Sequence, residues 1–142
     1  MRTKTIFIVF AIAVSTLIAT ACGGRGGSSD SGKAIKSTTA GNLTITLASP
    51  TGELKSGEND LTITFADGTG KPVDVGAASL NFHMPAMGSM AEMNDAATLT
   101  TSSTPGRYNA KVNLEVGGTW EAQVKYQGPQ GTGQASMTVN AK

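Results

Sequence analysis

Residues 108–126, YNAKVNLEVGGTWEAQVKY, hold the pattern that decides the fold. Tyr108, Ala110, Val112 and Leu114 alternate with Asn109, Lys111 and Asn113. After Gly117-Gly118 the alternation resumes as Trp120, Ala122, Val124 and Tyr126 against Glu121, Gln123 and Lys125. A period of two puts the apolar side chains on one face of an extended strand and the polar ones on the other. Two such runs divided by a glycine turn signal read as half-buried strands.

The same period extends in both directions. Leu43, Ile45 and Leu47 alternate with Thr44 and Thr46, and Leu61, Ile63 and Phe65 with Thr62 and Thr64. Ala78, Leu80 and Phe82 alternate with Ser79 and Asn81, and Ala135, Met137 and Val139 close the series. Ser49-Pro50-Thr51-Gly52, Asp67-Gly68, Pro105-Gly106 and Gly128-Pro129 punctuate the runs. No stretch after the leader carries a helical stripe. Short alternating strands in roughly a hundred residues predict an all-β chain, an antiparallel β-sandwich of about seven strands. Trp120 falls on an apolar position and is expected in the core. Tyr108 follows a turn at the start of a late strand. It resembles the tyrosine corner of immunoglobulin-like sandwiches, or is simply a core tyrosine.

The N-terminus reads differently. Met1-Arg2-Thr3-Lys4 is basic, Ile6 to Ile18 is apolar apart from Ser15 and Thr16, and Ala19-Thr20-Ala21 offers small side chains before Cys22. Residues 1–21 therefore read as a secretory signal peptide. Ala-Thr-Ala-Cys resembles the lipobox of bacterial lipoproteins, with Ala19 where that pattern favours Leu, and this makes Cys22 the expected lipidation site. The alternative is an ordinary signal peptide with a chance cysteine. Gly23 after the cysteine resembles the Gram-negative sorting pattern that favours the outer membrane. The expected location is the cell envelope, lipid-anchored, facing the periplasm or the exterior. Residues 22–40 are Gly, Ser, Thr and Lys with little that is apolar, and are expected to be a flexible linker. The domain is then 41–142. Arg2 and Lys4 leave with the leader, so nine of the eleven Lys and Arg remain against ten Asp and Glu. That near-neutral balance carries no basic patch for nucleic acid.

One segment stands out from the alternation: HMPAMGSM, residues 83–90. It holds the one histidine of the chain. Met84, Met87, Met90 and Met93 follow at intervals of three. Pro85 removes a backbone donor and Gly88 permits a tight turn, so 84–94 is expected to be a loop at one end of the sandwich. Parity points His83 away from the face of Phe82 and Met84 toward it. Soft thioethers select Cu(I), and imidazole binds copper as the neutral ring. Thioethers need no deprotonation and form no disulfides. His83, Met84, Met87, Met90 and Met93 are therefore candidate ligands for Cu(I), with Ag(I) as its mimic. The competing readings are an ordinary hydrogen-bonded side chain for His83, core packing for Met84, plain exposure for Met90 and Met93, and an adaptable apolar contact surface for the segment.

Phe82-His83-Met84-Pro85-x-Met87, Pro105-Gly106-x-Tyr108 and Gly117-Gly118-x-Trp120-x-x-x-Val124 together resemble the YtkA-like domain, related to FixH-like domains, over roughly residues 41–140. The resemblance implies an immunoglobulin-like sandwich outside the cytoplasm, found in lipoproteins or fused to metal-efflux adaptors, with links to copper handling and oxidase assembly. The His-Met-Pro-x-Met core also looks like the soft-ligand clusters of periplasmic copper chaperones. Those add a second histidine, which this chain lacks. A three-coordinate site from His83 and two methionines is what the resemblance leaves.

No catalytic constellation is present in the sequence: one imidazole, no free thiol once Cys22 is acylated, and no phosphate-binding glycine loop. The expectation is a membrane-anchored, non-enzymatic module that binds Cu(I) through a His/Met loop and delivers it. Its partners would be the membrane, through the anchor, and a copper-efflux or oxidase-assembly protein. The alternative is an interaction domain that uses the methionine loop to contact such a partner without metal.

Overall fold

The computed structural model describes residues 32–142, so the leader and Cys22 lie outside the described residues. Nine strands follow one another: β1 (Lys33–Ala40), β2 (Leu43–Ser49), β3 (Gly57–Ala66), β4 (Ala77–Met84), β5 (Met93–Ala96), β6 (Thr98–Thr101), β7 (Arg107–Leu114), β8 (Gly118–Gly128) and β9 (Gly131–Ala141). One sheet has the order β1-β2-β3-β7-β6 and the other β5-β4-β8-β9. All strand pairs are antiparallel. In immunoglobulin-like domains strands A, B, E and D share one sheet and C, F and G the other. Here β2, β3, β7 and β6 stand in the first order, and β4, β8 and β9 in the second, with β5 added beside β4.

The alternation read in the sequence is the alternation of burial. On β7 Tyr108, Ala110, Val112 and Leu114 are buried while Asn109, Lys111 and Asn113 are exposed, and β8 repeats this with Trp120, Ala122, Val124 and Tyr126. Trp120 lies fully inside, as expected, and donates its Nε1–H to Val116 O at 3.1 Å. Phe65 meets Tyr108 and Tyr126 edge-on, at centroid distances of 5.7 and 5.6 Å. That geometry suits the ring quadrupoles. Each fully buried Leu, Ile or Phe stabilises the sandwich by about 1.5–3 kcal/mol.

Three expectations are corrected. The linker does not extend to Ala40, because Lys33–Ala40 is strand β1. Its side chains bury little beyond Ile35 and Ala40, so periodicity could not reveal it. The open edge of β2 holds it by a backbone ladder from Lys33↔Ser49 to Ala40↔Leu43, and Ser37 and Thr46 hydroxyls meet at 2.9 Å. The strand count is nine rather than about seven, since β1 and the two four-residue strands β5 and β6 are too short or too polar to show a pattern. Tyr108 is not a tyrosine corner of the usual kind. It starts β7, and its hydroxyl donates at 2.6 Å to Gly76 O, 32 residues earlier, just before β4. The segment 73–76 that carries the chain between the sheets is pressed closely there. A Cβ on Gly106 would lie 2.2 Å from Val73 O, and Gly106 has a φ of +79°, so only glycine fits.

Candidate metal centre

Strand β4 brings His83 and Met84 to the sandwich end opposite the Phe65, Tyr108 and Tyr126 cluster. Ala77 at its start pairs with Gln127, beside Tyr126, and His83 near its finish pairs with Glu121, beside Trp120. Successive residues of a strand face opposite ways, so these two neighbours separate. Met84 points inward and is 2 % exposed. Met93 stands opposite it on β5 and packs half-buried against the same core. Both thioethers serve as packing there. The expected loop 84–94 is accordingly shorter, because Met84 ends β4 and Met93 begins β5.

His83 takes the outer face. Its register partner on β5 is Asn94, and its Nδ1 lies 3.0 Å from Asn94 Oδ1. Asn81, two residues back on the same face, aims its Nδ2 at that oxygen from 3.4 Å. An amide oxygen only accepts, so the neutral ring carries its proton on Nδ1, and Nε2 keeps a free lone pair. This is the arrangement in which ligating histidines are held: one ring N–H is anchored and the other nitrogen is left for the ion. On the other flank His83 pairs with Glu121 of β8.

Beyond Met84 the chain makes a small hairpin. Met87 N–H donates to Met90 O at 3.1 Å and Met90 N–H to Met87 O at 2.9 Å, closing a two-residue loop of Gly88 and Ser89. Gly88 has a φ of +59°, the left-handed value that such tight loops require at their first position. Directly paired residues project to the same side with Cβ atoms about 5 Å apart. Met87 and Met90 are 53 % and 43 % exposed, the exposed large apolar side chains among the described residues. The five candidate ligands thus fall into three places: His83 on the outer face, Met84 in the core with Met93 packed half-buried against it, and Met87 and Met90 paired on the hairpin.

The surroundings are acidic. The segments 79–97 and 112–124 hold Glu92, Asp95, Glu115 and Glu121 and no Lys or Arg. Asp95 Oδ2 accepts from Glu115 N–H at 3.4 Å and ties β5 to the turn before β8. Among the described residues no three His, Cys, Asp or Glu side chains gather to hold a metal ion. A donor set at this end would be one imidazole and thioethers, a soft set that fits a monovalent ion such as Cu(I). Asn94, Asn81 and Glu121 were not legible as site residues in the sequence. Their relevance rests on register between strands far apart in the chain, and β5 gave no periodic signal.

Comparison with curated proteins and with solved structures returned no match. The model of the YtkA-like family matches residues 37–125, well over half of the 142-residue chain, and includes β4, the methionine hairpin and most of β8. With the sandwich and these motifs in place, the chain belongs to the YtkA-like family.

Proposed function

We propose that this protein is a lipid-anchored, extracytoplasmic carrier of Cu(I), tethered through Cys22, that binds the ion with His83 Nε2 and the thioethers of Met87 and Met90 and passes it to an efflux or oxidase-assembly partner. The observation that carries the reading is the Nδ1 contact of His83 with Asn94 at 3.0 Å, which leaves Nε2 free at the end of the strand that runs on into a hairpin presenting two paired methionines. Four Cα-to-Cα steps lead from His83 to Met87, so their Cα atoms are at most about 14 Å apart. A short swing of an exposed hairpin can close that span. Three neutral donors leave the ion's single positive charge uncancelled, and Glu121 beside His83 supplies a compensating one. The reading is of a carrier rather than an enzyme, because the single imidazole is anchored by an amide rather than set against a nucleophile or acid.

Titration of the protein with Cu(I) against a competing chelator tests this. The expected result is one ion per chain and a large loss of affinity in the His83→Ala, Met87→Ala double variant. An affinity that the double variant leaves unchanged sinks the proposal. The exposure of Met87 and Met90 also favours a second reading, an apolar contact to the same kind of partner without metal. That reading expects partner capture to ignore copper and to survive His83→Ala.

A further inference from the structure

Exposure divides the methionines of the domain. Met87 and Met90 are 53 % and 43 % exposed, whereas Met84 and Met137 are 2 % and 5 % exposed. Met93 lies between, packed against the core. The hairpin that presents the exposed pair is closed by its two main-chain hydrogen bonds and shaped by Gly88, so neither sulfur holds it together. A chemical change at those two sulfurs therefore leaves the fold untouched, while the same change at Met84 or Met137 would place a polar group in the core.

We propose that Met87 and Met90 form a paired oxidation site, by which a peroxide-class oxidant releases the bound soft ion without unfolding the protein. The ion-release part rests on the preceding reading; the selectivity of oxidation does not. In the step, a sulfur lone pair attacks one oxygen of hydrogen peroxide. The O–O bond breaks, an S–O bond forms, and the second oxygen leaves as water after taking up the proton from the first. Sulfur gives up two electrons and the peroxide accepts them. The product sulfoxide is polar and presents a hard oxygen, a poor ligand for a soft monovalent ion. With one imidazole and two thioethers as donors, oxidation of either sulfur removes one of the three ligands and weakens the hold on the ion. The same bonding predicts the reverse protection, because a lone pair committed to a metal is not free to attack peroxide.

The experiment treats the metal-free protein with hydrogen peroxide and follows each methionine by peptide mass mapping over time. Circular dichroism, thermal unfolding and Ag(I) affinity are measured on the same samples. Ag(I) is the probe because it does not cycle with peroxide. The expected result is that the first two oxygen atoms go to Met87 and Met90 while Met84 and Met137 stay unmodified. Circular dichroism and Tm hold, and Ag(I) affinity falls about tenfold or more, as loss of a ligand should cost no less than loss of its support. Prior loading with Ag(I) should slow oxidation of this pair and not of Met93. Oxidation that spreads evenly or begins at Met93 overturns the proposal while leaving the metal reading intact. Selective oxidation that leaves Ag(I) affinity unchanged overturns the switch. Unoxidised protein that binds no Ag(I) overturns the metal reading, and the release mechanism with it.

Discussion

His83 and Met84 are neighbours in the chain and belong to different environments, and their substitutions should separate stability from binding. Met84→Ala opens a cavity in the core and is expected to lower unfolding free energy by about 2–5 kcal/mol, read by denaturant titration. Met87→Ala, on the exposed hairpin, should change it by less than about 0.5 kcal/mol while weakening Cu(I) binding. Asn94 supports the site through the ring it holds. Asn94→Ala frees the imidazole to rotate and to change tautomer, and Cu(I) affinity should fall by about 10- to 100-fold with the Tm little altered. An unchanged affinity would detach Asn94 from the site. The presence of a soft-donor cluster at 83–93 was legible from residue type alone. Its division was only half legible: parity pointed His83 outward and, for a strand still in phase, Met84 inward, but no local rule told that Met93 packs back against the core as Met84's partner.

At the scale of elements, the hairpin and the first strand make opposite claims on the sequence. The Met87–Met90 hairpin depends on a positive φ at Gly88, so Gly88→Val places a β-branched residue in the left-handed region at about 1–2 kcal/mol of local strain. The expected outcome is a displaced methionine pair, measured as reduced Cu(I) affinity with an unchanged cooperative unfolding transition. Strand β1 is read by nothing in its own composition. Its backbone pairs with an edge that β2 leaves open, and main-chain hydrogen bonds are available to any sequence that can extend. Removing 33–40 should lower stability on the order of 2 kcal/mol, chiefly through Ile35. It should also bare the β2 edge to self-association, seen as concentration-dependent mass in sedimentation. A monomer of unaltered stability would show that β1 is an ornament of the edge.

Across the whole molecule, the two ends of β4 have different characters. One is locked by aromatic packing and by the hydroxyl of Tyr108 on Gly76 O; the other carries the exposed hairpin. Burial, aided by the carboxylate of Asp74, raises the Tyr108 pKa above the ordinary tyrosine value. The folded state thus holds the phenol proton more tightly than the unfolded chain. The associated stability is fully present below the unfolded value of about 10 and is lost as pH rises through the folded one. Tyr108→Phe should lose about 0.5–1.5 kcal/mol at neutral pH and show a shallower decline above pH 10, followed by unfolding at stepped pH. By itself the sequence determined the all-β class, the inward and outward faces of the long strands, the burial of Trp120 and the gathering of soft donors near one turn. These depend on residue type and a period of two, which are local quantities. Only the tertiary structure decided the place of β1, the pairing of β5 with β4, the reach of Tyr108 to Gly76, and the choice of Asn94 and Glu121 as flanks of His83. Each of these is a register between segments distant in the chain, and register is set by the packing of whole strands rather than by any stretch read alone.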